Sequence, residues 1–271
     1  AIDKYVYTSL IKPFSKGIYL KYSHNEKVER PADIKHRIFK EVLSMDEGIA
    51  CNPQIEITTL ADVPYGTGLG SSGAFTVSLV KAMSLWNGLS ISNKGVAEKA
   101  CHIEIERLGE PVGKQDQYAS ALGGIQELYF HKDDSVEAKT LKISIEVLQE
   151  FKDSCLIFYT GKSRSASEIL KEQNKKSQEG SEEMLRNLDQ VKELGFTTKK
   201  LLLAGDIMQY GLLLNDHWKN KLKRSSDMCS KEHLSVYEEA LLNGAIGGKL
   251  IGAGGGGFFM FICNNKTELR C

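Results

Sequence analysis

The period of the apolar positions changes several times along the chain, and each change marks an element. Residues 2–11 alternate Val and Tyr with polar residues and read as a strand, with residues 17–22 as its hairpin partner. Residues 33–43 place Ile34, Ile38 and Val42 four apart, which predicts a helix, and residues 55–60 return to a strand. Phe75, Leu79, Ala82, Met83 and Trp86 then recur at helical intervals until Asn87-Gly88 breaks the pattern. Ser92 or Asn93 can cap the next helix, which runs to Leu108 with Ala97, Cys101, Ile105 and Leu108 as its apolar stripe. Strands over 125–130 and 138–143, a short connecting helix over 144–151 and a strand over 155–159 follow. The rest is helix-rich, with periodic stretches at 166–176, 182–194, 199–221 and 232–242. It closes at residues 249–262 on strand, four-glycine turn and strand, an antiparallel hairpin whose turn can also let backbone approach a ligand. This pattern predicts an α+β fold in two domains, residues 1–147 and 148–271. The first is expected to carry a mixed sheet, and the second to pack helices on an antiparallel sheet.

One junction in this pattern carries chemistry. Asp62-Val-Pro-Tyr-Gly-Thr-Gly-Leu-Gly-Ser-Ser-Gly-Ala74 runs straight into the helical stretch that begins at Phe75, so its glycines sit at a helix N-terminus. The first N–H groups of a helix lack intrahelical acceptors and the macrodipole is positive there, which makes the junction an anion site. Gly66, Gly68, Gly70 and Gly73 let the backbone close around a phosphate, and the Ser71 and Ser72 hydroxyls can bind phosphate oxygens or a hard metal ion. Gly68-x-Gly70-x-x-Gly73 formally matches the dinucleotide fingerprint. However, five residues separate the strand from Gly66, no acid lies near residues 86–89, and a helix replaces the second strand. A Walker loop is excluded because no Lys-Ser or Lys-Thr follows the last glycine. A plain connecting loop would not need so many glycines, whose ordering is costly in chain entropy.

Composition narrows the partners. The 271 residues suffice for one large or two ordinary domains, and 35 basic residues balance 35 acidic ones. No overall positive field marks the chain for nucleic acid or an anionic membrane, and no apolar run approaches a membrane span. Cys51, Cys101, Cys155, Cys229, Cys263 and Cys271 lack metal-site spacing and read as reduced thiols of a cytoplasmic protein.

Further along, Gly109, Pro111 and Gly113 stop one helix between Glu106 and Asp116, so these two carboxylates need not share a helical face to converge. The pattern Pro64-x-x-x-Gly68-Leu69-Gly70-Ser71-Ser72 resembles the phosphate loop of the GHMP kinases, a superfamily of small-molecule kinases. Glu106, Gly113-Lys-Gln-Asp116 and Gly252-Ala-Gly-Gly-Gly-Gly257 match its later motifs in order. The resemblance spans most of the chain. It implies an N-terminal ribosomal-protein-S5-like domain with a mixed sheet and a C-terminal ferredoxin-like α/β sandwich, with ATP and Mg²⁺ in the cleft between them.

Phosphoryl transfer needs the phosphates cradled, a magnesium ion held and the acceptor hydroxyl placed in line. The resemblance assigns Pro64, Gly66, Gly68, Leu69, Gly70, Ser71, Ser72 and Gly73 to the triphosphate, Ser72 and Glu106 to Mg²⁺, and Asp116 to the acceptor's proton. Gly254, Gly255 and Gly256 would lie beside the substrate and nucleotide phosphates. The wording of residues 106–118 and 158–167 is most similar to the family's sugar kinases that act on the anomeric hydroxyl of heptose 7-phosphate. Lys114, Gln115 and Arg164 are then expected at that sugar phosphate. A kinase for fucose, galactose, homoserine or mevalonate stays open, as does a non-catalytic nucleotide or sugar-phosphate sensor, and a homodimer is compatible with any of these. Relatives begin with a strand bearing a basic residue and a Gly-Gly-Gly-Thr-Asp-like segment, and continue beyond the third motif. This chain is therefore expected to be part of a longer protein, since stopping there would leave a strand edge unpaired.

Overall fold

The structure, a computed structural model, describes residues 1–161, 166–225 and 228–264. The chain falls into two compact units, one of Ala1–Tyr65 with Gly70–Ala138 and one of Gly66–Leu69 with Lys139–Cys271. Four residues of the glycine-rich loop thus group with the second unit.

The first unit contains β1 (Val6–Ile11), β2 (Gly17–Lys21), β3 (Asn25–Val28) and β4 (Gln54–Ala61) in one mixed sheet, ordered β1-β4-β2-β3. β4 runs antiparallel to β1 and parallel to β2. The expected β1–β2 hairpin is therefore corrected, because β4 lies between the two strands. β4 alternates with Ile55 and Ile57 fully buried, and a strand with such a core face gains by taking a central position with partners on both edges. Gln54 Nε2 donates to the Pro13 carbonyl at 2.9 Å and the Gly17 N–H donates to the Pro53 carbonyl at 2.8 Å, closing the gap at the β1–β2 connection.

Helices α1 (Arg37–Ser44), α2 (Glu47–Cys51), α3 (Ser71–Trp86), α4 (Asn93–Cys101) and α5 (Gln115–Leu122) belong to this unit, as does most of the two-stranded sheet of β5 (Gln126–Phe130) and β6 (Val136–Thr140), the chain passing to the second unit within β6. The core joins Ile18, Leu20, Ile55 and Ile57 of the sheet to Phe39 and Leu43 of α1 and Leu79 and Val80 of α3. Burying side chains of this size contributes roughly 1.5–3 kcal/mol each. That packing fixes the direction in which α3 points its N-terminus.

The second unit contains α6 (Ile145–Ser154), β7 (Cys155–Tyr159), α7 (Ala166–Gln178), α8 (Glu182–Ala204), α9 (Ile207–Leu222), α10 (Lys231–Leu242), β8 (Ala245–Leu250) and β9 (Phe258–Cys263). Its sheet is antiparallel, in the order β7-β9-β8. Leu250, Phe259 and Phe261 pack with Trp218 and Tyr237 on one face. Ile262 packs with Leu202, Tyr210 and Leu214 on the other, where Val147 and Phe151 of α6 join them. That packing puts α6 in the second compact unit, which takes up the chain again at Lys139.

The expected helix break near residue 195 is likewise corrected. α8 continues through Gly195 and ends at Gly205, which adopts φ +75° and donates its N–H to the Leu201 and Leu202 carbonyls. Asp206 then caps α9 by accepting from the Gln209 N–H. No helix among the described residues is long and apolar enough to cross a membrane.

Candidate functional site

The site in the first unit begins where the loop turns into α3. Gly70 sits at the N-cap with φ +72°, and the Ala74 N–H makes the first helical bond, to the Gly70 carbonyl at 2.9 Å. The N–H groups of Ser71, Ser72 and Gly73 precede the helical ladder and lie at the positive end of its dipole. Upstream, Pro64 belongs to the first unit, while Gly66, Gly68 and Leu69 belong to the second.

α5 brings Asp116, in its first turn, against this helix start. A Cβ on Gly70 would lie 3.1 Å from Asp116 Cγ, and one on Gly73 would lie 3.1 Å from Asp116 Cβ. The two glycines thus make room for a carboxylate at an anion-favouring helix end. Asp116 keeps an open side, but the glycine backbone displaces water from the other, and that desolvation raises its pKa above the usual aspartate value.

The metal ligand expected at Glu106 is not at this place. Glu106 is 69% exposed and bonds His102 Nδ1 at 2.7 Å, one turn back on its own helix. Glu104, only 1% exposed, takes the interior position: its Oε1 accepts from Ser72 Oγ at 2.5 Å and its Oε2 from Gln117 Nε2 at 2.6 Å. The cause is local. After α4 the chain widens into a π turn over His102–Arg107, with the Leu108 N–H donating to the Ile103 carbonyl five residues back. The wider turn presents Ile103 and Glu104 together to the interior and leaves Glu106 outside. Burial is the main cause that raises the Glu104 pKa; the bonds from Ser72 and Gln117 oppose it, and the charges of Asp116 and Glu110 add to it.

These residues meet the requirements of a magnesium ion. Ser72 Oγ, the Glu104 carboxylate and the amide oxygen of Gln117 are hard oxygen donors, and Gln117 Oε1 is buried with no hydrogen-bond partner. A buried carboxylate and an orphaned buried oxygen on neighbouring side chains are both costly without a cation. Gln117 and Glu104 carried no distinguishing signal in the sequence beyond their nearness to Asp116 and Glu106. Chemically, the arrangement can hold a divalent cation on oxygen and an anion on the N–H groups of residues 71–73. It also leaves an accessible carboxylate beside both.

The remaining expected residues lie elsewhere. Lys114 donates from Nζ to the Asp134 carbonyl at 2.6 Å, in the turn between β5 and β6, so its cation is already engaged. Gln115 is exposed at the start of α5. Gly254, Gly255 and Gly256 lie in the β8–β9 turn of the second unit, each with positive φ. Arg164 lies outside the described residues.

The family described as GHMP kinases N terminal domain matches residues 35–124, and GHMP kinases C terminal matches residues 198–270. D-glycero-alpha-D-manno-heptose 7-phosphate kinase of Campylobacter jejuni is 34% identical over 204 residues, covering 75% of this chain and 59% of that protein. The chain thus spans about three fifths of that relative's length. A mevalonate kinase of Pyrococcus furiosus is 25% identical over 83% of the chain and 65% of its own length. Among solved structures, a D-glycero-D-manno-heptose 1-phosphate kinase from Bacteroides thetaiotaomicron superposes with a TM-score of 0.75. Its identity is 25%, over 98% of this chain and 79% of that one.

Proposed function

We propose, from the premise that the chain belongs to the GHMP kinases, that its protein transfers the γ-phosphoryl group of ATP to a hydroxyl of a small sugar phosphate. The observation that carries this reading is Asp116 seated against the first turn of α3, next to the Ser72, Glu104 and Gln117 oxygens. The free N–H groups of residues 71–73 and the loop glycines would bind phosphate oxygens. Ser72, Glu104 and Gln117 would hold Mg²⁺, which supplies neutralisation of charge on the phosphates when bound.

Asp116 then orients the acceptor hydroxyl and takes its proton as the oxygen bonds to phosphorus and ADP departs. A raised pKa brings this base closer to working pH, which favours proton transfer. The similarity to the heptose 7-phosphate kinase supports heptose 7-phosphate as acceptor and its anomeric hydroxyl as the site, giving heptose 1,7-bisphosphate. An anomeric hydroxyl is more acidic than an ordinary alcohol, so it asks less of Asp116.

The test is ADP release by the full-length protein with Mg-ATP and a panel of heptose 7-phosphate, fucose, galactose, homoserine and mevalonate. Turnover confined to heptose 7-phosphate is expected. Turnover with another acceptor would replace the substrate and keep the kinase, whereas ATP binding without ADP release from any acceptor would overturn the catalytic reading.

A further inference from the structure

In the second unit, the two glycine-rich motifs meet backbone to backbone. A Cβ on Gly252 would lie 2.5 Å from the Gly68 carbonyl oxygen, and one on Gly257 would lie 2.1 Å from that of Thr67. Any side chain at either position would push the β8–β9 turn off residues 67 and 68. Gly252 also has φ +72°, a conformation that disfavours a side chain. The turn's other end is tied down by bonds of its own: Gly257 N–H donates to Thr160 Oγ1, Thr160 N–H donates to the Gly257 carbonyl, and Gly255 N–H donates to the Met228 carbonyl.

The Gly252 end is tied by a charge. Lys221, in the last turn of α9, is 8% exposed, and its Nζ donates to the carbonyls of Leu250 at 2.8 Å and Gly252 at 2.5 Å. A lysine is rarely buried without a carboxylate, because taking an ammonium out of water is expensive. Here burial first, and the charges of Lys249 and Arg224 after it, lower its pKa to about 7. No carboxylate counters these effects on Lys221 among the described residues. Lys249, its neighbour on β8, is lowered by burial and by Arg224 as well. A hydrophobic side chain would pack in the same volume without that cost, so stability alone does not explain a lysine here. Its two hydrogen bonds go to the end of β8 and to Gly252, a turn residue packed against Gly68.

We propose that Lys221 is a positioning residue for the phosphate loop: by holding the carbonyls of Leu250 and Gly252 inward, it fixes Gly252 against Gly68 and so sets the backbone of residues 66–69. The connection runs Lys221 Nζ, Gly252 carbonyl, Gly252 Cα, Gly68, with no side chain between the last two. Lys221 touches no reacting atom in this arrangement and acts only through the backbone it holds. The inference rests on the kinase reading for its ligand, a nucleoside triphosphate, but its structural half stands on the second unit alone.

The charged and titratable groups around Lys221 are Lys249 on β8, Arg224 just after α9, Cys229 ahead of α10 and His217 on α9. His217, lowered to about 4, and the Cys229 thiol, raised to about 11, keep one protonation state between pH 6.5 and 9. Lys221 loses its charge across that range, so the clamp weakens as pH rises.

The test compares wild type with Lys221→Met and Lys221→Arg in the full protein. It reads Mg-ATP affinity at pH 6.5, and amide hydrogen exchange at residues 66–69, 252–257 and 155–159 without nucleotide. Lys221→Met is expected to raise the Mg-ATP Kd about tenfold, the size of one buried hydrogen bond to a charged group. It should speed exchange in both glycine segments but not in β7, and Lys221→Arg should recover most of both effects. An unchanged Kd with unchanged exchange in the glycine segments overturns the proposal. So does faster exchange spread equally over β7 with no recovery by arginine, which would mark Lys221 as a general packing residue.

If Lys221→Met does not fold, Lys221→Arg and wild type are compared at pH 6.5 and 9. Wild type should lose affinity at the higher pH and the arginine variant should not; equal loss overturns the proposal. Wild type that fails to bind Mg-ATP at all sinks the kinase reading, and the exchange pattern alone then decides the role of Lys221.

Discussion

The two units draw charges of opposite sign away from water: Glu104 in the first and Lys221 in the second are buried, while Asp116 keeps an open side and Lys249 is half-buried. The first holds Glu104 and Asp116 at the start of α3, with both pKa values raised chiefly by loss of water. The second holds Lys221 and Lys249 at the β8–β9 turn, with both lowered for the same reason. The carboxylates lie next to an orphaned oxygen, Gln117 Oε1, and an accessible helix end, a set of groups that could hold a cation and an anion. The ammonium of Lys221 has its partners already, in the carbonyls of Leu250 and Gly252. An unpaired buried oxygen beside a buried carboxylate points to a ligand, and a buried charge whose hydrogen bonds are made points to a shape being held.

Removing the carboxylate proposed as acceptor base is the harshest way to break that comparison. Asp116→Asn keeps the contact with Gly70 and Gly73 but removes the proton acceptor, so turnover should fall about 10²–10⁴-fold. Mg-ATP affinity, read by calorimetry, should stay within about threefold, because the N–H groups of residues 71–73 do not depend on the carboxylate. Turnover near the wild-type rate would remove Asp116 from the chemistry. In wild type, activity should fall as pH drops through the Asp116 pKa, since only the ionised form accepts a proton. That acid limb should lie above the ordinary aspartate value of 3.8, because desolvation raises the group. A limb at or below that value would mean that the base is another residue.

The second test separates two glutamates that the sequence could not. Glu104→Gln should raise the Mg²⁺ concentration for half-maximal activity at least about tenfold, because it takes the charge from the oxygen set. Glu106→Gln, on an exposed side chain paired with His102, should leave it unchanged. The reverse result would put the metal on the outer face of the π turn and dissolve the oxygen set around Gln117.

This pair also shows where the sequence stopped being legible. The glycine loop and the helix behind it could be read, because glycines at a change of period have a local cause. The helix through residue 108 could be read in extent but not in phase. One extra residue per turn over His102–Arg107 rotates the inward position to Glu104, and no periodicity announces that. Strand partners are set by contacts distant in sequence, so β4 between β1 and β2 left no local trace. By contrast, Gly205-Asp206 is a terminator followed by a cap and carried a usable signal, which the glycine at 195 obscured. Lys221 reads as a surface cation on any helical wheel. Its burial depends on carbonyls contributed some thirty residues later.

The smallest expected effect sharpens the second half of the comparison. Lys221 has a pKa of about 7 in the folded chain, against an ordinary value of 10.5. Between those two values the unfolded chain holds a proton that the folded chain has released, so folding becomes more favourable as pH rises through that window. The contribution has a slope of at most about 1.4 kcal/mol per pH unit, and it vanishes once the ordinary value is passed. Other groups titrate there too, so the informative quantity is the thermal midpoint of wild type minus that of Lys221→Met. It should move in favour of wild type from pH 7 to pH 9.5. Over the same interval Mg-ATP affinity should weaken in wild type, because the uncharged amine holds the Gly252 carbonyl less firmly. Stability and affinity moving in opposite directions is the signature of a charge kept for the loop at the expense of the fold. If both rise together, Lys221 is an ordinary stabilising contact, and the difference between the two units lies only in the sign of the charge they bury.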